Sequence, residues 1–351
     1  MKRLALLSIL AASLACGPVG ETPEPAASEV THAFDELAPG VFFAVGDGPV
    51  HVASNALVVV NDEDVLVVDS HITADAARAL LASVATLTDK PVRYLVNTHF
   101  HFDHAHGNQV FPPNVETIGH EYTRARLLGD VLKQPTYLGM GGPATQQKKI
   151  DGLQERLVAA SAEQRESLEA QIATQQRHLK ALDEVEPTPP TTTLLRKMTL
   201  HRGAREIQLL HLGRGHTGGD VVVFLPGEKV AFTGDLLYKG APYLGDAYPE
   251  DFIETLEALK SLDFDVAAPG HGPLIRDKEQ IDFNQEYLRK YWGQVKASHA
   301  AGRTLDQAID SVDLTGYEQF AASRFTRRAV VELEVGRMYA LLNGEDPFAP
   351  E

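Results

Sequence analysis

"NTHFHFDHAHGN", residues 97–108, places four histidines and an aspartate in eight consecutive positions. Neutral imidazoles crowded together gain nothing from one another, whereas a cation gives each ring nitrogen a partner for its lone pair. The stretch grows out of VRYLVN (92–97), an apolar, β-branched run that reads as a strand. If the chain stays extended, His99, His101 and Asp103 project to one side and His104 to another. That arrangement suits two neighbouring ions better than one. Further along come His216 in GRGHTGGD (213–220), Asp235 in FTGD (232–235) and His271 in PGHG (269–272). Each lies just after a strand-like run, and strand ends are where the loops of an open α/β sheet converge on a site.

Similar runs recur as VFFAV (41–45), ALVVV (56–60), VLVVD (65–69), IQLLHL (207–212), VVVFL (221–225), KVAFTG (229–234) and DVAAPG (265–270). Helical patterns lie between several of them, as in ADAARALLASVATL (74–87) and FIETLEALKSL (252–262). Adjacent strands followed by alternating strands and helices predict an α/β fold, two mixed sheets sandwiched between helices. Residues 146–183 contain no strand-like run and no proline. Their apolar residues recur at helical spacing, and Ser161 with Gln164 resembles a capping box, so two antiparallel helices are expected. EPTPPTTT (186–193) ends them. The insertion reads equally as an inert appendage or as a wall or lid over the site. Residues 279–351 read as a helical extension, with Tyr287, Leu288, Tyr291 and Trp292 forming an apolar stripe. The main domain is then 35–278.

The chain has 351 residues, enough for one large α/β domain with appendages. MKRLALLSILAASLA (1–15) has two basic residues and a short apolar run, the pattern of a secretory signal rather than a membrane span. Cys16 is the only cysteine. Its setting resembles a bacterial lipobox, which implies export, periplasmic or outer-membrane, with a lipid anchor on Cys16; plain cleavage of the signal is the alternative. Residues 17–34 read as a flexible tether, rich in Pro, Glu and Ala. The net charge of −16 repels phosphate backbones, so nucleic acid is excluded as a partner.

T-H-F-H-F-D-H at 98–104, followed in order by His216, Asp235 and His271, resembles the metallo-β-lactamase superfamily. Asp69, closing VLVVD, matches that family's early structural aspartate, although Ser70-His71 stands where the family often has Thr-Gly. The resemblance spans about residues 38–275. It implies the αββα sandwich and two zinc ions per chain, with iron or manganese as alternatives in an all-N/O site. By the resemblance His99, His101 and His216 hold one metal, Asp103, His104 and His271 the second, and Asp235 bridges them. A water acidified between the ions then attacks an acyl carbonyl, with Asp103 orienting it and passing a proton to the leaving group.

The fold does not choose the substrate. Many β-lactamases of the first class carry a zinc-binding cysteine at the position of Asp235 and a lysine three residues on. Here Tyr238 stands at that offset, similar to acyl-homoserine lactonases, where it implies a hydrogen bond to the substrate carbonyl; Lys239 follows. The expected partner is a small acyl substrate: β-lactam, lactone, ester or thioester. Two other classes stay open, an iron-dependent oxidoreductase on the same scaffold and a noncatalytic metal-binding surface lipoprotein. His106 and His120 read as supporting or surface residues, and His71 as a candidate for the mouth of the site. His32, His51, His178, His201, His211 and His299 read as structural or solvated.

Overall fold

The structure, a computed structural model, describes residues 31–237, 239–317 and 327–346. The leader, Cys16, most of the tether and Tyr238 lie outside these residues. Seven strands form the first sheet: β1 (His32–Ala38), β2 (Val41–Gly46), β3 (Ala56–Val60), β4 (Val65–Val68), β5 (Val92–Val96), β6 (Glu116–His120) and β7 (Thr192–Leu194). They pair in chain order, antiparallel from β1 to β4 and parallel from β4 to β7. The second sheet contains β8 (Lys197–Arg202), β9 (Arg205–Leu210), β10 (Val222–Leu225), β11 (Val230–Gly234) and β12 (Val266–Pro269). Its strands are antiparallel except for the parallel pair β11–β12.

Period-two alternation decides what each sheet buries. Leu57, Val59, Leu66, Val68 and Val96 meet Ile207, Leu209, Val223, Leu225 and Phe232 between the sheets. The intervening Val58, Val65, Val67 and Leu95 face outward and are covered by Ala77, Leu80 and Val84 of α1 (Ala74–Val84). With both faces covered, β3 and β4 are apolar almost throughout. On the outer face of the second sheet lie α6 (Pro249–Lys260), α7 (Glu279–Ala300) and α8 (Leu305–Ser311). The last helix, α9 (Arg327–Leu342), adds Val331, Val335 and Met338 to the same core. The two-mixed-sheet sandwich with a helical C-terminal extension is therefore as expected.

The insertion is a helical hairpin, α4 (Pro143–Val158) and α5 (Ala162–Ala181), with the Ser161–Gln164 capping box in place. It leans on the loop before β3: the His51 ring lies 4.4 Å from that of His178, and its Nδ1 is 3.5 Å from Gln175 Nε2. The tether is shorter than expected, since β1 starts at His32, where Thr31 and His32 are already buried. Strands β6, β7 and β8 carry little apolar signal: β6 is mostly buried but reads ETIGH, β7 is short and β8 is largely half-exposed.

Gly107, in the quoted stretch, has an ordinary φ of −82° and is required for a different reason. A Cβ there would run into the carbonyl oxygen of Ser70 and the Cβ of Ala77. Gly107→Ala is expected to lower stability by ~1–3 kcal/mol through overpacking. Urea unfolding with an unchanged midpoint would contradict this.

Candidate metal centre

Strand β5 ends at Val96, and the next residues leave extended geometry. Asp103 and His104 lie on a single helical turn, α2 (Phe102–Ala105). The expected presentation of His104 is thus corrected: the turn swings its Nε2 to 3.7 Å from Asp103 Oδ2, toward the same centre as its neighbours. His216 comes from the loop after β9, Asp235 directly after β11 and His271 directly after β12.

These seven side chains converge. Their ligating atoms form three overlapping groups, each within 4.8 Å: His99, His101 and His216; His99, His104 and Asp235; Asp103, His104 and His271. In the first group His101 Nδ1 lies 3.0 Å from both His99 Nε2 and His216 Nε2. In the last, His271 Nε2 lies 3.3 Å from His104 Nε2 and 3.2 Å from Asp103 Oδ2. Asp235 stands between them, with Oδ2 at 3.6 Å from His216 Nε2 and 3.2 Å from His271 Nε2. Gly270 makes room for this approach, because a Cβ there would strike Asp235 Oδ1 and the His104 ring.

The remaining ring nitrogens are held from behind. Thr98 Oγ1 lies 3.0 Å from His99 Nδ1 and donates to Asp69 Oδ2 at 2.8 Å. Asp69 Oδ2 also lies 2.8 Å from His104 Nδ1. Asp246 Oδ2 is 3.0 Å from His101 Nε2, and the Tyr243 carbonyl accepts from His216 Nδ1 at 3.1 Å. Such partners occupy one nitrogen of each ring, so the other nitrogen of all four rings faces the common centre. Asp235 Oδ1 is buried without a hydrogen bond. Five imidazoles and two carboxylates, one of them with a buried oxygen that makes no hydrogen bond, fit a pair of divalent cations.

Electrostatics agree. Burial lowers His216 to about 4 and takes His99 well below the ordinary histidine range. Burial has the same tendency at His271, but Asp235 and Asp103 outweigh it and raise the ring to about 9. At His104 the carboxylates of Asp235, Asp103 and Asp69 outweigh burial and raise the pKa well above its usual value. Burial would raise Asp103 and Asp235, yet the neighbouring His104 and His271 hold both below the carboxylate range. The second triad thus attracts positive charge.

His71 is not at the mouth. It is fully buried, with φ +66°, and its ring lies 3.0 Å from His32 Nε2 and 3.2 Å from Ser54 Oγ. His106 is buried against Phe102 and Tyr137, and His120 caps α3 (Glu121–Leu128) while packing on His211. Thr98 opens the T-H-F-H-F-D-H motif, whereas Asp246 and the Tyr243 carbonyl carry no motif in sequence; only the fold brings those two to the rings. The mouth is formed by Asp103 and His271, whose side chains are 14% and 12% exposed.

A family model described as the metallo-beta-lactamase superfamily matches residues 50–271. Linear primary-alkylsulfatase of Pseudomonas sp. (strain ATCC 19151) is 24% identical over 271 residues, 72% of this chain and 48% of that protein. Metallo-beta-lactamase type 2 of Elizabethkingia meningoseptica is 28% identical over 103 residues, 28% of this chain and 41% of that protein. This chain therefore spans about half the length of the curated relatives it matches or less. Among solved structures, a metallo-beta-lactamase from Pontibacter korlensis superposes with a TM-score of 0.53 at 18% identity, covering 74% of this chain and 99% of that one. DIM-1 metallo-beta-lactamase gives 0.50 at 18% identity, covering 74% and 97%.

Proposed function

The chain belongs to the metallo-β-lactamase superfamily, and on that premise we propose that it is a metal-dependent hydrolase, dinuclear with zinc, that cleaves an acyl bond. The substrate class is a β-lactam, lactone, ester or thioester. The observation that supports it is the convergence of seven donors on one centre, in which Asp103 and His271 are the most exposed side chains at 14% and 12%. His99, His101 and His216 would hold one cation; Asp103, His104 and His271 the other; Asp235 would lie between. When bound, the pair supplies an acidified water and an electrophile for the acyl oxygen. Asp103, at the mouth, orients that water and passes a proton to the leaving group. Export through the leader, with a lipid anchor on Cys16, belongs to the same proposal.

A second reading, hydrolysis of a sulfate ester, is favoured by the alkylsulfatase similarity, which runs through 72% of the chain. Protein from residue 17 onward, loaded with zinc, should be screened against chromogenic β-lactam, lactone, thioester and aryl sulfate substrates. Turnover of an acyl substrate supports the first reading, and turnover of the sulfate alone supports the second. Two bound zinc ions with no turnover on any of them would sink both.

A further inference from the structure

Two of the three rings in the first triad are held from behind by one short loop. Asp246 receives His101 Nε2 and the Tyr243 carbonyl receives His216 Nδ1, so residues 243–246 fix both rings. Asp246 also accepts from Thr136 Oγ1, and Tyr243 Oη lies 3.0 Å from the same hydroxyl. That ties the loop to the foot of the insertion. No regular element of the sandwich runs through 243–246; these residues lie between β11 and α6.

What holds the loop in place comes from α9. Glu334 is buried at 3% exposure and its Oε1 accepts the Leu244 N–H at 3.1 Å, while Oε2 accepts the Tyr291 hydroxyl of α7 at 3.0 Å. Arg337, one turn on, donates to the Ala247 carbonyl at 3.2 Å and packs its guanidinium 4.7 Å from the Tyr248 ring. The clamp thus grips the loop on both sides of Asp246. A carboxylate buried among apolar helices is costly unless its oxygens are used; here both are, one of them on this loop.

We infer that the C-terminal helix is part of the metal site: Glu334 and Arg337 are positioning residues that act through loop 243–247 to aim His101 and His216 at the first cation. The inference rests on the dinuclear reading above. It predicts selectivity, because the second triad has different supports. His104 is held by Asp69 at the end of β4, and His271 follows β12. Loosening α9 therefore weakens one cation and spares the other.

The test is a stepwise zinc titration against a chromophoric chelator on full-length mature protein. In parallel, NMR follows the exchange-protected imidazole N–H protons of His101 and His216. Partners behind a metal ligand typically alter affinity by 10–100-fold, so Glu334→Ala should weaken one of the two constants by about tenfold and expose both N–H protons to exchange. Glu334→Gln keeps an acceptor for Leu244 N–H and a polar group for Tyr291, and should behave as the parent. Arg337→Met, which retains packing on Tyr248 but not the bond to Ala247, should weaken the same constant, and serves if Glu334→Ala does not fold. Unchanged constants in both variants overturn the inference, as does equal weakening of both constants, the mark of general loosening. A parent that binds fewer than two zinc ions would instead overturn the dinuclear reading beneath it.

Discussion

Replacing Asp103 by alanine should lower kcat on the best acyl substrate by about three orders of magnitude, the larger part of what a positioned acid–base group supplies. On the proposed mechanism the carboxylate has two duties that no neighbour duplicates. It is one of three donors in the second triad, with Oδ2 3.2 Å from His271 Nε2. It is also the more exposed of the two carboxylates in the centre, 14% against 8% for Asp235, and so the one that can reach a leaving group. Asp103→Asn separates the duties: a neutral amide oxygen can still act as a weak donor but cannot carry a proton. That variant should keep more metal than Asp103→Ala while staying nearly as slow. Steady-state kinetics with metal content measured on the same samples would decide it. If Asp103→Ala turns over within about threefold of the parent, the role given to this carboxylate is wrong.

The set of candidate donors is legible because its members are polar residues packed where apolar ones would otherwise be expected, each behind a β-branched run. Their local geometry is not. The reading of His99 to His104 as extended chain fails because the strand stops at Val96 and a helical turn begins at Phe102. His71, two positions after Asp69, reads in sequence only as a candidate for the mouth. Left-handed backbone at both Asp69 and His71 instead turns that ring into the interior, against His32. Asp246 shows the general difficulty. Its partner His101 is 145 positions away in the chain, and the loop that carries it has no pattern until α9 packs beside it. Edge strands such as β7 stay hidden for a related reason: half-solvated backbone pairing asks little of the side chains.

Metal binding should be steeply and unequally dependent on pH. In the metal-free protein His271 titrates at about 9 and His104 well above its ordinary value, both raised by the carboxylates around them. At neutral pH each must give up a proton before its nitrogen can hold a cation. Two protons released per ion make the apparent constant fall about a hundredfold per pH unit, or about 10⁴-fold between pH 8 and pH 6. The first triad differs, since burial leaves His99 and His216 neutral throughout that range. The constant of the second triad should therefore fall more steeply on acidification than that of the first, and loading the second ion at pH 7 in weak buffer should release close to two protons. Stability follows the same linkage with its sign inverted between the two forms. In metal-free protein the raised pKa of His271 contributes stability that is complete below the unfolded value of about 6.5 and is lost as pH rises through about 9. In zinc-saturated protein at fixed free zinc, stability instead climbs over that window as binding tightens. Melting temperatures of the two forms across pH 6 to 9 should diverge, and parallel curves would show that His104 and His271 are not the protons that zinc displaces.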